Sequence, residues 1–316
     1  MQRRFWQGGI GLVAILVAVL VFQLPRLSKT QSSQSGSVLG AATGLQEVRH
    51  PVLPPQLTTS DQPPLPNASA AVVIDGATGE IVIGKQSHDS LPIASTTKVM
   101  STIVLLSSGQ NLNNSVTVSE AAANQIGSVM GLQEGETLTA RDLLTGALLV
   151  SGNDAIYALA EHAGGIPSFV AQMNAMAKKL DLADTEFLDP AGLEDSGHSS
   201  AFDLATMFRY ALTFEDFRHI IATTETTVTS DQGISHHLQN SNRLIQTDQP
   251  LYLSQALGGK TGFTPDAGHT LVAGAQNNGH LLIAVVLHTD EESNDASARE
   301  VNRLLQWTFD NARWTE

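Results

Sequence analysis

Short β-branched and apolar runs stand near both ends of the body of the chain, and helical periodicity fills the interval between them. Residues 71–74 and 80–83 flank Asp75-Gly76-Ala77-Thr78-Gly79, and residues 270–275 and 281–288 flank Gln276-Asn277-Asn278-Gly279, so each pair reads as a β-hairpin. Helical patterns cover residues 96–107, 139–150, 154–162, 166–180 and 201–221, and a closing helix is expected over 294–309. Strands at both ends can bury their faces together only in a shared sheet. The pattern therefore predicts an α/β (α+β) fold, in which an antiparallel sheet with flanking helices carries an inserted all-helical region. No internal repeat is present.

Ahead of this body, residues 5–24 carry no charge and follow Arg3 and Arg4. Twenty helical residues span roughly 30 Å, the thickness of a hydrocarbon core. The junction around Leu24-Pro25 offers no small-x-small cleavage site, and Gly40-Ala41-Ala42 lies too far downstream. An uncleaved transmembrane anchor over residues 1–30 is expected, with a Ser/Gln/Pro-rich flexible linker over 31–68 and a catalytic domain over 69–316. The body would then sit at the cell membrane on its outer face, or be secreted if the leader is cut.

Charge and composition narrow the chemistry. Setting aside Arg3, Arg4, Arg26 and Lys29 leaves 13 of the 17 basic residues against 31 acidic ones. A body this acidic argues against nucleic acid as a partner, because phosphate neutralisation needs the opposite sign. With no cysteine, thiolate catalysis, disulfides and cysteine-bound metals are excluded. The ten histidines show no metal-ligand spacing beside acids, and each is expected to be exposed or in the core.

Three segments carry functional groups. Ser95-Thr96-Thr97-Lys98 places a hydroxyl and an amine three residues apart at a helix start, where they share a face and Lys98 can act as the base that activates Ser95. Ser151-Gly152-Asn153 falls on the break between two helices, with Ser151 expected to relay a proton and Asn153 to donate to a substrate amide carbonyl. Lys260-Thr261-Gly262 precedes the C-terminal hairpin, on a strand expected to face the nucleophile. There Lys260 and Thr261 would bind a terminal carboxylate, and Gly262 would let a peptide approach as an added strand. The backbone N–H groups of Ser95 and Phe263 are the expected oxyanion donors. Lys98 must be neutral to act as a base, and a second cation at Lys260 together with burial would lower its pKa. Gly259-Lys260-Thr261 also resembles the end of a phosphate-binding loop, but Ser254 stands where that loop requires glycine.

Each triplet alone is common, and the set in this order is not. With Ile93-Ala94-Ser95-Thr96-Thr97-Lys98-Val99-Met100, Leu149-Val150-Ser151-Gly152-Asn153-Asp154-Ala155, Asp189-Pro190-Ala191-Gly192-Leu193, His198-Ser199-Ser200-Ala201 and Gly259-Lys260-Thr261-Gly262-Phe263-Thr264, the chain resembles the low-molecular-mass penicillin-binding proteins, the serine D-alanyl-D-alanine carboxypeptidases of peptidase family S11. The resemblance covers residues 70–309. It implies a penicillin-recognising serine transferase, β-lactamase-like fold and an acyl-enzyme on Ser95. The implied substrate is a peptidoglycan stem peptide ending in D-Ala-D-Ala, with β-lactams as covalent inhibitors and no cofactor.

Two departures from the family pattern follow. The chain stops at Glu316, just past the closing helix, so attachment is expected from the N-terminus. An arginine that often precedes the closing helix in relatives has only Arg299 as a loose counterpart. Other readings stay open at this level: a DD-endopeptidase, a class A-like β-lactamase, or a non-catalytic β-lactam or cell-wall binding module. The β-lactamase reading lacks its Glu-x-x-Leu-Asn segment, since Glu186-Phe187-Leu188-Asp189-Pro190 does not fit.

Overall fold

The computed structural model describes residues 53–64, 66–289 and 293–314. The expected anchor over 1–30 and most of the linker lie outside the described residues, among which no helix is long and apolar enough to cross a membrane.

In chain order the main elements are β1 (Ala68–Asp75), β2 (Ile81–Lys85), α1 (Lys98–Ser107), α2 (Ala140–Leu149), α3 (Asn153–His162), α4 (Ile166–Lys179), α5 (Ala201–Ala211), α6 (Glu215–Ala222), β3 (Glu225–Thr229), β4 (Ser235–Gln239), β5 (Ala256–Thr264), β6 (Gly268–Asn277), β7 (His280–Thr289) and α7 (Ala296–Asn311). The sheet order is β5-β6-β7-β1-β2, antiparallel throughout. The N-terminal hairpin thus joins the C-terminal one through the β7–β1 pairing, as the distribution of strand runs requires.

β1 and β7 are buried on both faces, which is why they read as continuous apolar runs. Val72, Ile74, Ile283 and Val285 face a core shared with the helical region. Val73, Ala284 and Val286 face the second core, closed by Val301, Leu304 and Leu305 of α7. The β6–β7 turn takes positive φ at Asn278 and Gly279 (49° and 84°), the form that matches strand twist and that Asn-Gly favours.

Two expectations change. The single helix over 201–221 is two helices, α5 and α6. Thr213 Oγ1 donates to Tyr210 O (2.7 Å), Arg218 donates to Leu212 O (2.6 Å), and the bend sets Phe208 and Phe217 edge to face at 5.5 Å. The linker is also ordered near its end. Gln56 and Leu57 pair with Arg313 and Ala312, and Thr58 N donates to Asn311 O at 2.8 Å. Backbone pairing of two residues needs no particular side chains, so composition could not reveal it.

Candidate active site

The nucleophile turn is a 3₁₀ helix over Ala94–Thr97 that runs into α1 at Lys98. In a 3₁₀ turn residues i and i+3 eclipse, which aligns Ser95 and Lys98 more closely than an α-helix would. Ala94, just before Ser95, sits at φ 46°, a conformation an L side chain adopts only when its surroundings hold it there. The holder is the 189–194 loop. Asp189, buried, accepts backbone N–H bonds from Ala191, Gly192, Leu193 and Glu194 at 2.6–2.9 Å. Gly192 packs so tightly that a Cβ there would lie 1.9 Å from Ala94 O.

Lys98 is fully buried. Its Nζ lies 2.9 Å from Ser95 Oγ, 2.7 Å from Asn153 Oδ1 and 3.0 Å from Ala191 O. Burial drives its pKa well below the ordinary lysine value and nearby Lys260 adds to the effect, against the opposing pull of Asp189 and Asp154. Lys260, also buried, donates to Ser151 Oγ (3.0 Å) and Thr261 O (2.7 Å), and burial brings its pKa down to about 7.

Ser151 sits between α2 and α3 at φ 63°, a second strained residue at the site. Asn153, the first residue of α3, is anchored by Nδ2 donation to Ile126 O (2.6 Å), while its backbone N–H donates to Ser128 O (2.8 Å). Next to it, buried Asp154 accepts from the N–H groups of Met130, Gly131, Leu132 and Ala155 at 2.8–3.0 Å, fixing the loop that reaches the cleft at Ser128. Thr261 and Ser241 hydroxyls meet at 2.6 Å. Gly262 brings β5 against the nucleophile turn: a Cβ on it would stand 2.5 Å from Thr270 Oγ1 and 3.0 Å from Ser95 N. Its lack of a side chain therefore serves packing within the protein. Phe263, 57% exposed, stacks on His269 at 4.4 Å.

Ser95, Ser151, Thr261, Gly262 and Phe263 open on one cavity of about 430 Å³ between sheet and helical region. Lys98, Asn153 and Lys260 stand behind them. All eight residues singled out in the sequence thus converge. Arg299 is exposed and does not line the cavity. Sequence reasoning missed Asp154, Ala191 as a carbonyl acceptor, and Asp189 as a loop organiser. An aspartate followed by Pro-Ala-Gly is a turn signal that could have pointed to the last of these. Of the histidines, His236 is a core residue whose Nε2 lies 2.6 Å from buried Glu136, and His237 is exposed. Among the described residues, no group of three or more His, Asp or Glu could hold a metal ion.

The profile of the D-alanyl-D-alanine carboxypeptidase family matches residues 57–291. The chain is 35% identical to D-alanyl-D-alanine carboxypeptidase DacF of Bacillus subtilis over 77% of its own length and 62% of the relative's. It is 38% identical to DacD of Salmonella typhimurium over 78% of its own length and 64% of that protein. It therefore spans somewhat under two thirds of both. Among solved structures, the D-alanyl-D-alanine carboxypeptidase of Mycobacterium tuberculosis superposes with a TM-score of 0.74 at 32% identity, covering 83% of this chain and 98% of that one. By profile, sequence and fold, the chain belongs to the S11 family of D-alanyl-D-alanine carboxypeptidases.

Proposed function

We propose that this protein is a serine D-Ala-D-Ala carboxypeptidase that removes the terminal D-Ala from peptidoglycan stem peptides. The observation that carries the reading is the valence of Lys98. A neutral amine has two N–H donors and one lone pair. Asn153 Oδ1 and Ala191 O, both acceptors, take the two hydrogens and leave the lone pair for the Ser95 O–H. Burial, first, and Lys260 lower the pKa of this lysine, and in its neutral form these contacts orientate it as a general base.

Ser95 Oγ, its proton passing to Lys98, attacks the penultimate D-Ala carbonyl. The Ser95 and Phe263 N–H groups receive the oxyanion. The proton reaches the departing D-Ala amine through Ser151, which Lys260 holds at 3.0 Å. Water then adds to the ester with Lys98 again as base, and Ser95 is released. Asn153 keeps one Nδ2 hydrogen for a substrate carbonyl, since its Oδ1 and the other hydrogen are engaged. Thr261, Gly262 and Phe263, which line the cavity, align the peptide end along β5, with Lys260 behind them holding Ser151. A β-lactam, whose strained amide mimics the scissile bond, acylates the same serine. Residues 5–24 anchor the enzyme in the cell membrane with this domain on the outer face, and 31–55 act as the tether.

Intact mass after incubation with a penicillin is expected to show one adduct on the wild type and none on Ser95→Ala. An adduct on the variant would move the nucleophile elsewhere. The pH dependence is also set. Acylation requires unprotonated Lys98, so its rate falls as pH drops through the Lys98 pKa. Lys260 titrates at about 7, and as a cation below that pH it repels a charge on Lys98. Lys260→Gln removes the repulsion, raises the Lys98 pKa and shifts the acidic limb of the acylation profile to higher pH. A limb that stays in place or moves down would separate the two lysines.

A further inference from the structure

Two segments outside the five-stranded sheet face the cleft without contributing a reacting atom. One reaches the cavity at Ser128, the other at Gln239, Asn240 and Ser241. Away from the cavity, which neither residue lines, a buried carboxylate and imidazole join the two segments. His236 Nε2 lies 2.6 Å from Glu136 Oε1, and the two side chains are 6% and 0% exposed.

We infer that Glu136 and His236 are positioning residues that fix the spacing of these two cleft walls and so align the bound peptide. The inference rests on the carboxypeptidase reading above and names what holds its peptide groove in shape.

Each partner is built into the segment it steers. Glu136 Oε2 accepts from Gln133 N (2.9 Å), the Glu136 N–H donates to Gln133 O (3.1 Å), and its carbonyl accepts from Val118 N (2.8 Å). Earlier in the same loop Asp154 holds the N–H groups of Met130, Gly131 and Leu132, and Ser128 O accepts from Asn153 N at 2.8 Å. On the other side, β4 alternates: His236 and Leu238 are buried, whereas Ser235, His237 and Gln239 are exposed. Three residues after His236 the chain enters the cleft wall. Ser241 then meets the Thr261 hydroxyl of β5 at 2.6 Å and donates its N–H to Leu149 O (3.0 Å) at the end of α2. A shift of β4 against the 126–136 loop therefore moves the wall that touches the strand along which the peptide lies.

The tie is directional. Burial works to raise the Glu136 pKa, but the bonds from His236, the Gln133 N–H and Ser230 outweigh it and hold the group below the ordinary glutamate value. Glu136 is therefore an ionised acceptor at neutral pH, and the hydrogen between the two side chains belongs to His236 Nε2. Stability does not account for such a pair, because apolar groups of the same shape in place of both partners commonly leave a fold as stable or more so. What apolar groups do not reproduce is a fixed distance between two particular atoms. Gln232 adds two bonds at the surface, accepting from Thr137 N (2.9 Å) and donating to Gly135 O (3.2 Å), both exposed to competing water.

The test uses the full-length protein in detergent, an N-acylated peptide ending in D-Ala-D-Ala, and active sites counted by the covalent penicillin adduct. Counting sites removes the unfolded fraction, so KM and kcat per site report the groove and not the yield of folded protein. Glu136→Met/His236→Leu is expected to keep Tm close to wild type while raising KM about 10-fold, with kcat per site changed by less than about threefold. Glu136→Gln keeps the Gln133 contact and can still bond His236 through its other tautomer, so its KM is expected to stay near wild type. Should the first double variant not fold, Glu136→Gln/His236→Leu removes the tie while retaining the Gln133 bond, and the same rise in KM is expected. An unchanged KM in whichever double variant folds overturns the inference, as does an equal rise in Glu136→Gln alone. Failure of the wild type to release D-Ala overturns the carboxypeptidase reading instead.

Discussion

Lys98→Met is expected to lower the rate of acylation by a penicillin about 10³-fold or more while leaving a folded protein. The expected loss corresponds to roughly 4 kcal/mol of barrier, the scale of a general base removed from a serine that has no other strong acceptor nearby. Methionine matches the volume of the buried lysine stem, so packing between α1 and the 189–194 loop survives. Two effects on stability oppose each other. Asn153 Oδ1 and Ala191 O lose a donor, at about 1–3 kcal/mol for an unsatisfied buried group, while the cost of burying an amine disappears. Stopped-flow acylation with a fluorescent penicillin, alongside a melting curve, separates chemistry from folding. Near-normal acylation by a folded Lys98→Met would transfer the role of base to another group.

The chemistry of this site was legible because it resides in residue types at fixed separations. A hydroxyl three residues before an amine, a second hydroxyl two before an amide, and a lysine preceding Thr-Gly on a strand each survive any uncertainty of one residue in element boundaries. The sheet was legible for a related reason: Asn278-Gly279 and the two-sided apolar runs of β1 and β7 are local signatures of turn and burial. What sequence could not display is the set of groups that hold the reactive atoms still. The 3₁₀ turn at Ala94–Thr97 has the same i, i+3 pattern as an α-helix start. Asp154 and Asp189 act through four backbone N–H groups each, and backbone donors are present in every loop.

Gly192→Ala is the substitution that tests this supporting layer, and it touches no reacting atom. Gly192 has φ 79°, which costs an alanine about 1 kcal/mol, and the added Cβ would meet Ala94 O at 1.9 Å and Thr97 Oγ1 at 2.7 Å. Relief requires the loop or the nucleophile turn to move by more than an ångström. Overpacking of this kind costs typically 1–3 kcal/mol more. Either movement separates Ala191 O from Lys98 or shifts Ser95, and misplacement by about 1 Å is enough for a roughly 10²-fold loss of rate. Acylation is therefore expected to fall by about 10²-fold, and Tm by roughly 5–10 °C for a domain of this size. Gly233→Ala supplies the comparison, since Gly233 has a similar φ of 80° but no atom within 4 Å of the added carbon. It should show the small cost of backbone strain alone, with acylation unchanged. If the two variants acylate alike, the close contact between the 189–194 loop and Ala94 has no part in aiming Ser95, and the strain at Ala94 must be maintained from α1 instead.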